Sequence, residues 1–553
     1  MSCKFVFVTG GVVSSVGKGL TVASIASLLQ SAGLRIAVRK FDPYLNVDPG
    51  TMSPVQHGEV FVTDDGAETD LDLGYYERFT DIKATSGDSV TAGKIYSELL
   101  QKEREGFYLG QTVQVIPHVT DLIKKFIYKN SDALDVILCE IGGTVGDIEG
   151  QPFFEAARQV GYEVGRENVL YVHVTLIPYL FSSDEVKTKP TQHSVKSLNS
   201  IGIQPGIIFC RTQKSISAED KKKISLFCNI DLQNVIEVKD LDNIYDLPVV
   251  YKKQNLDKTI FNLLDIGGKN ADVAAWNKVS AVVSNARNSN TVISVVIVGK
   301  YTGFYDIYKS VVESIQHACF AKGLNPKITI LDAKDFKVSE LQHADCVLIP
   351  GGFGSSGIEG KISAIQYARI NKIPTLGICL GLQLMVIEFA RNVLKLEDPN
   401  STEFDRSCKN KVVALLEEWK DASGLKKGNS DQKGGTMRLG AYDCSLNKGS
   451  LVSEVYGCDL ISERHRHRYE VNPIYKDEFK KQGLEFSGHC KANKELPEVV
   501  ELKNHPWFLG VQFHPEFKSR IFKPHPLFLG LAEAALQSKD TKQARTLGEK
   551  AAL

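Results

Sequence analysis

The chain has 553 residues, with 66 Lys plus Arg against 66 Asp plus Glu, so its formal charge is zero. That length divides into roughly two to four domains of 100–200 residues, and the missing basic surplus excludes a dedicated nucleic-acid binder held by overall charge. Hydrophobic residues at 43% and charged residues at 24% exclude a mainly disordered chain, and eleven scattered cysteines form no disulfide framework and read as free thiols of a reducing compartment.

The first residues run straight into an apolar strand over Lys4–Thr9, without a signal-peptide pattern. No apolar run approaches the ~20 residues of a membrane-crossing helix, so the sequence reads as soluble and cytoplasmic. A helix is expected from about Leu20 to Ser31, followed by strands near Arg35–Lys40, Asp135–Glu140, Val169–Leu176 and Gly206–Cys210 with helices between them. Apolar strands alternating with helices predict a parallel sheet covered on both faces. The same grammar starts again at Val292–Val298 and continues through Lys327–Leu331, Cys346–Ile349, Pro374–Ile378 and Trp507–Phe513. The fold class is therefore α/β in two domains. The polar stretch between them places the first at 1–266, a linker at 267–291 and the second at 292–536, with a polar tail at 537–553 that is disordered or loosely helical. Gly424–Gly435 reads as an exposed loop.

Chemistry starts where the first strand ends. Gly10-Gly11-Val12-Val13-Ser14-Ser15-Val16-Gly17-Lys18-Gly19-Leu20 is a glycine loop between a strand and a helix, the setting in which loop N–H groups and a helix N-terminus cradle phosphate while a lysine reaches its outer oxygens. The spacing is one residue longer than in the common P-loop, and Gly19 stands where a magnesium-binding hydroxyl is usual. Carboxylates must then take over that duty. Glu140 ends an apolar strand, where a side chain faces the ligand crevice of a parallel sheet, and Asp72 lies in the acidic run Glu68–Gly74. Lys187-Thr188-Lys189-Pro190-Thr191-Gln192-His193 precedes a helix and suits a second anion. Ser217 is placed to cap a helix, with Asp220 three residues on, and the following Lys221–Lys223 reads on composition as a solvated face.

In the second half Gly377-Ile378-Cys379-Leu380-Gly381 is a nucleophile elbow with cysteine as the nucleophile. The helix N-terminus that follows favours the thiolate. The glycine amides of Pro350–Gly354 are candidates to form an oxyanion hole with the Leu380 amide. His514 and Glu516 sit at i and i+2 of an extended segment, which lets the carboxylate orient the imidazole as general base. Glu463-Arg464-His465-Arg466-His467-Arg468-Tyr469-Glu470 alternates, with arginines on one face and His465, His467 and Tyr469 on the other. Composition permits an acidic or nucleic-acid patch there; a clamp for a substrate carboxylate fits the neighbouring hydrolase.

Taken together, the runs Phe7–Ser15, Asp42–Met52, Gly66–Gly74 and Lys187–His193, with Gly377–Gly381 and Arg464–Glu470, resemble the CTP synthase family over about residues 1 to 530. The shifted loop spacing and Gly19 match that family too. The resemblance implies a P-loop-like parallel-sheet amidoligase domain and a flavodoxin-like class I glutaminase domain. It implies ATP-dependent phosphorylation of O4 of UTP, then displacement of phosphate by ammonia from glutamine, in the last step of de novo CTP synthesis. It further implies that Ser15, Val16, Gly17, Lys18, Gly19, Leu20 and Asp72 hold ATP, with Lys239, Asp240 and Leu241 at the adenine, and that Asp72 and Glu140 hold Mg2+. Ser14, Asp147, Ile148, Glu149, Lys187, Thr188, Lys189, Pro190, Thr191, Gln192 and Lys223 fall to UTP, or to CTP as feedback inhibitor. Glutamine falls to Gly352, Leu380, Gly381, Leu382, Gln383, Glu403 and Arg468. A homotetramer, GTP activation and a closed ammonia passage are also implied, and polymers of the tetramer are compatible with it. The differences from the family lie at Gly424–Gly435 and in the tail, and bear on regulation or assembly. Two rivals stand beside this reading: another glutamine-coupled synthetase, which the Gly142–Glu149 and Lys187–His193 loops argue against, and a non-catalytic nucleotide-responsive scaffold, which the presence of Lys18, Cys379, His514 and Glu516 argues against.

Overall fold

Phe5, Val6, Phe7 and Val8 are all buried because their strand, Lys4–Gly10, has parallel neighbours on both edges and helices over both faces. The neighbours complete a sheet of seven parallel strands in the order Val235–Lys239, Ile207–Thr212, Val169–Leu176, Lys4–Gly10, Val136–Ile141, Ile36–Asp42, Ser89–Thr91. Chain order reverses on either side of Lys4–Gly10, and ligands of such sheets bind outside the carboxyl ends of the strands at that switch point. The helix Lys18–Ser31 leaves the same end.

The computed structural model describes residues 3–301, 305–415, 418–421, 424–427 and 437–551, arranged as two compact units: residues up to 49 with 72–281, and 50–71 with 282 onward. The excursion 50–71 thus lies inside the 1–266 stretch in sequence but packs with the second unit. That unit holds a nine-stranded sheet in the order Asn325–Asp332, Val292–Gly299, Cys346–Ile349, Thr375–Ile378, Phe508–Val511, Pro497–Leu502, Leu484–Cys490, Arg438–Leu446, Leu460–His467. Its first five strands are parallel and the rest are joined antiparallel.

Three polar stretches carry regular secondary structure. The expected tail continues the helix Pro526–Ala551: Leu527, Phe528, Leu531 and Ala535 anchor its apolar side, and Lys542 Nζ donates to the Ala344 carbonyl at 2.6 Å. Within the expected linker, Ala274–Arg287 is a helix whose Trp276, Val279, Val283 and Ala286 are buried at helical spacing, with the Trp276 indole donating to Ser27 Oγ at 2.7 Å. Gly424–Lys427, expected as loop, is a strand paired antiparallel with Glu418–Asp421; backbone pairing in a two-stranded ribbon requires no run of apolar residues, so its composition hides it. The remainder of that segment, 428–435, lies outside the described residues.

Candidate functional site

The first cluster lies at the carboxyl ends of the seven-stranded sheet. Gly17 adopts φ +96° at the start of the helix, and the N–H groups of its first turn are free of intrahelical acceptors. Lys18 is folded back over the strand end, buried, with Nζ donating to the Gly143 carbonyl at 2.8 Å. Gly10 makes room for it, since a side chain there would meet Lys18 Nζ at 2.8 Å. Gly19 has an equally direct cause: a Cβ would lie 1.9 Å from Asp72 Oδ1. The carboxylate occupies the space beside the lysine that a Ser or Thr hydroxyl would fill in the common loop.

Asp72 and Glu140 converge on Lys40, whose ammonium contacts Asp72 and lies 3.1 Å from Glu140 Oε1 and 3.7 Å from Asp42 Oδ1. Burial first, then Asp72, push the Glu140 carboxyl up to about 7 against the pull of Lys40 and Lys18. Burial lowers the Lys18 pKa, with Glu140 the main opposing influence. Among the described residues no group of three or more His, Cys, Asp and Glu forms a metal site. Two carboxylates that repel one another beside a phosphate-type loop nevertheless fit Mg2+, which takes one or two carboxylates and completes its shell with phosphate oxygens and water.

Val16, Gly17 and Leu20 line a pocket together with Lys239, Asp240, Leu241 and Arg211, so two separated stretches of the ATP assignment meet. Arg211 was not singled out from sequence. It donates to Asp240 Oδ1 at 2.8 Å and to the Ser15 carbonyl at 3.0 Å, tying loop to pocket rim. Its position near the carboxyl end of Ile207–Thr212 is the signal that marks it.

The residues assigned to UTP are more scattered. Ser14 and the turn Asp147–Glu149 are exposed, with Asp147 accepting from the Thr144 N–H at 2.8 Å. Lys187 hydrogen-bonds the Glu185 carboxylate and lowers its pKa, with a smaller contribution from the Lys223 charge. Ser217 does cap the helix Ala218–Cys228, accepting from the Asp220 N–H at 3.0 Å. Lys189 and Pro190 open the helix Lys189–Ser200, and Gln192 Nε2 donates to Thr188 Oγ1 at 3.1 Å. Thr191 is fully buried and its hydroxyl meets Thr175 at 3.0 Å, leaving only its backbone for a ligand. No hydrogen bond or ion pair among the described residues joins Asp147–Glu149 to Lys187–Gln192.

The second cluster lies in the second unit. Thr375–Ile378 leads to Cys379 at φ +53°, ψ −102°, and the helix Leu380–Asn392 starts at the next residue. This strained turn needs close packing. A Cβ on Gly381 would lie 2.2 Å from the Ile349 carbonyl, and one on Gly377 would lie 2.8 Å from the Gly381 backbone. The neighbouring strand Phe508–Val511 carries His514 just beyond its end. His514 Nδ1 pairs with Glu516 Oε1 at 2.7 Å, and its ring stacks on Phe517 at 5.2 Å. Burial opposes a charge on His514, but Glu516 and the Cys379 sulfur outweigh it and raise its pKa to about 10. Gly351 abuts both catalytic candidates, since a Cβ there would sit 2.9 Å from His514 Cε1 and 3.6 Å from Cys379 Cβ.

Gly351, Gly352, Arg466, Arg468, His514 and Glu516 line one pocket, and Gly50–Met52 and Gly58–Val60 of the excursion complete its wall. Glu403 Oε1 accepts from the Gly354 N–H at 2.6 Å, and its charge and that of Arg468 act on one another. Leu380 and Leu382 are core side chains, and Gln383 is buried with Nε2 donating to the Tyr469 carbonyl at 2.9 Å, so this stretch offers backbone to a ligand. The Arg464–Arg468 alternation resolves differently from its sequence reading. Arg464 pairs with Asp64 at 2.6 Å and Arg466 with Glu68 at 2.7 Å, both within the excursion. His465 and His467 are buried beside the Arg438, Glu470 and Glu498 charges. The strand ends at His467, which moves Tyr469 into another sheet and leaves Arg468, which lines the pocket, as the remaining candidate for a carboxylate clamp.

Residues 4–266 match the family model described as CTP synthase N-terminus, and residues 304–534 match the model for class-I glutamine amidotransferase. A CTP synthase from Neorickettsia sennetsu is 59% identical over 542 residues, covering 97% of this chain and 99% of its own. One from Pelagibacter ubique is 53% identical over 541 residues, covering 97% of this chain and 100% of its own. Among solved structures, the glutaminase domain of Trypanosoma brucei CTPS with bound acivicin is 34% identical with a TM-score of 0.40, covering 44% of this chain and 94% of that one.

Proposed function

The chain belongs to the CTP synthase family, glutamine-hydrolysing ligases whose substrates are UTP, ATP and glutamine, and from that premise we propose which of its residues carry each half of the reaction. Cys379 attacks the glutamine amide carbon as a thiolate. The resulting oxyanion is held by backbone N–H groups of Leu380 and the Gly351–Gly352 segment. His514 gives its Nε2 proton to the departing ammonia, then takes a proton from the water that hydrolyses the thioester and releases glutamate; Glu516 fixes the ring. Gly352 and the Leu380, Gly381, Leu382 and Gln383 backbone border the glutamine. Glu403 suits its ammonium and Arg468 its carboxylate. The observation that carries this reading is the elbow at Cys379 with the His514–Glu516 pair beside it across Gly351.

In the first half, Ser15, Val16, Gly17, Lys18, Gly19 and Leu20 hold the phosphates of ATP, and Lys239, Asp240 and Leu241 border its base. Asp72 and Glu140 hold Mg2+, which when bound balances charge on the transferred phosphoryl group. UTP is assigned to Ser14, Asp147, Ile148, Glu149, Lys187, Thr188, Lys189, Pro190, Thr191, Gln192 and Lys223. Its O4 attacks the γ-phosphorus and releases ADP, with Lys18 offsetting the charge that builds on the phosphate oxygens. Ammonia then attacks C4 and phosphate departs, leaving CTP. Family membership supports a cytoplasmic homotetramer with GTP as activator and CTP as feedback inhibitor, the amidoligase occupying 1–266 and the glutaminase 292–536.

The test is the absorbance change from UTP to CTP with ATP and magnesium, run with glutamine and with ammonium chloride on wild type and Cys379→Ala. Wild type is expected to use both nitrogen sources and the variant only ammonium. Equal use of glutamine by both proteins removes Cys379 from the reaction, and no CTP from ammonium removes the synthase assignment.

A further inference from the structure

Gln512 is a polar side chain sealed from solvent. It follows the strand Phe508–Val511, is 0% exposed, and its backbone N–H donates to the Glu498 carbonyl at 2.8 Å. Burying a primary amide is unfavourable unless its oxygen and nitrogen find partners, and a methionine would fill nearly the same volume without that requirement. Here the partners are specific. Gln512 Nε2 donates to Cys379 Sγ at 3.6 Å, and Gln512 Oε1 accepts from Gln383 Nε2 at 3.3 Å.

Three hydrogen bonds in series fix which end of this amide meets the sulfur. The Tyr469 carbonyl can only accept, so it takes an N–H of Gln383, at 2.9 Å. The second N–H of the same Gln383 nitrogen then donates to Gln512, which makes the acceptor its oxygen and leaves its nitrogen for Cys379. Pairing of Tyr469 with Leu415 holds the carbonyl that starts the series. The other groups around the sulfur act in both directions. The Arg466 carbonyl, 3.7 Å from Sγ, accepts from the protonated thiol alone and so favours it. His514 interacts with the sulfur from the pocket side, with Glu516 on its other nitrogen. Lys361, on the helix Ile358–Ile370, also feels the Cys379 charge, and the buried His465 and His467 feel that of His514. A donor aimed at the sulfur from the buried side favours the ionised form over the Arg466 carbonyl's preference for the thiol.

We propose that Gln512 is a second donor to the Cys379 sulfur: its amide, oriented through Gln383 from the Tyr469 carbonyl, stabilises the thiolate before attack and again when the thioester opens and the C–S bonding pair returns to sulfur. This rests on the glutaminase reading above and adds to it a group behind the nucleophile, with Gln383 as its positioning residue. The test uses the full-length enzyme and Gln512→Met, which removes the donor and keeps the volume. Alkylation of Cys379 by iodoacetamide is followed from pH 5 to 10 as loss of glutamine hydrolysis. The rising limb of the rate–pH profile is expected to move up by about one pH unit, a tenfold change in thiolate population and the scale of a hydrogen bond to a charged group. The plateau at high pH, where the thiol ionises without help, is expected to stay at the wild-type rate. At neutral pH, kcat for glutamine hydrolysis is expected to fall about tenfold without a rise in KM, because the glutamine contacts assigned above are untouched. Gln512→Glu keeps the shape and sets a carboxylate beside the sulfur, and is expected to move the limb further the same way. CTP formation from ammonium is expected to be unchanged in both variants.

A rate–pH profile that stays in place overturns the proposal. So does a rate lowered at every pH, plateau included, with the ammonium reaction reduced alongside, which assigns Gln512 to packing. Cys379→Ala is run in parallel: if that variant still hydrolyses glutamine, the glutaminase reading itself has failed, a result separate from an unmoved profile in Gln512→Met.

Discussion

His514 carries charge where burial alone would remove it. Glu516 is the first of the groups that raise its pKa to about 10, followed by the Cys379 sulfur, and together they exceed the opposing effect of burial. The folded protein then binds this proton more tightly than the unfolded chain, whose histidine titrates near 6.5. The stabilisation is complete below that value and is lost as the pH rises toward 10. Glu516→Gln keeps the shape and removes the charge. Thermal melts from pH 6 to 10 should show the widest gap in Tm between wild type and this variant at the acid end, closing by pH 10. A gap that does not change with pH would mean that Glu516 holds its loop by packing and hydrogen bonding alone.

At the scale of elements, the excursion 50–71 is held by the strand that carries the alternating arginines. Its ribbon pairs Phe61–Val62 with Glu68–Thr69. Asp64 and Glu68 meet Arg464 and Arg466, and Gly440, at φ +89°, leaves room where a Cβ would lie 2.7 Å from the Asp64 carbonyl. Phe61 is buried under the Arg464 guanidinium at 5.2 Å, and its edge meets Phe517 at 5.2 Å. Phe517 in turn stacks on His514. The ribbon therefore supports the His514 imidazole through one intervening ring. Phe61→Ala should destabilise its unit by about 3–5 kcal/mol, the usual cost of deleting a buried ring, and should lower kcat for glutamine more than it lowers CTP formation from ammonium. Urea unfolding and the two activity assays measure this; equal losses in both assays would show that Phe61 supports the fold without specific effect on His514.

At the scale of the molecule, what the sequence made legible is what it keeps contiguous. The glycine loop, the cysteine elbow and the His514–Glu516 pair each consist of a strand end and the few residues after it, so composition and spacing identified them. The first five strands of each reading lie within a few residues of their observed bounds for the same reason: buried parallel strands are near-continuous apolar runs. What stayed hidden depends on partners far apart in the chain. Lys40 among Asp42, Asp72 and Glu140, Arg211 on Asp240 and Ser15, and Lys361 on Pro350 have no local pattern. The excursion was missed because a linear boundary cannot represent a segment that leaves one unit and returns. Of the antiparallel strands of the second sheet, only Leu460–His467 showed in the sequence, through the alternation from Glu463; the others have polar residues that break the apolar run. The remaining prediction concerns how separable the two chemistries are. Lys18 sits among phosphate-loop and carboxylate groups of the first unit, with its ammonium on the Gly143 carbonyl and its charge felt by Glu140 and Asp72. None of those contacts involves Cys379, His514 or Glu516. Lys18→Met should therefore reduce CTP formation at least about 10²-fold, the order of one lost electrostatic stabiliser, and should do so equally with glutamine and with ammonium. Glutamate release from glutamine without nucleotides should stay within about twofold of wild type. If basal glutamate release falls as far as CTP formation, the phosphate loop and the cysteine site act as one catalytic unit; if CTP formation survives with ammonium, Lys18 does not serve phosphoryl transfer.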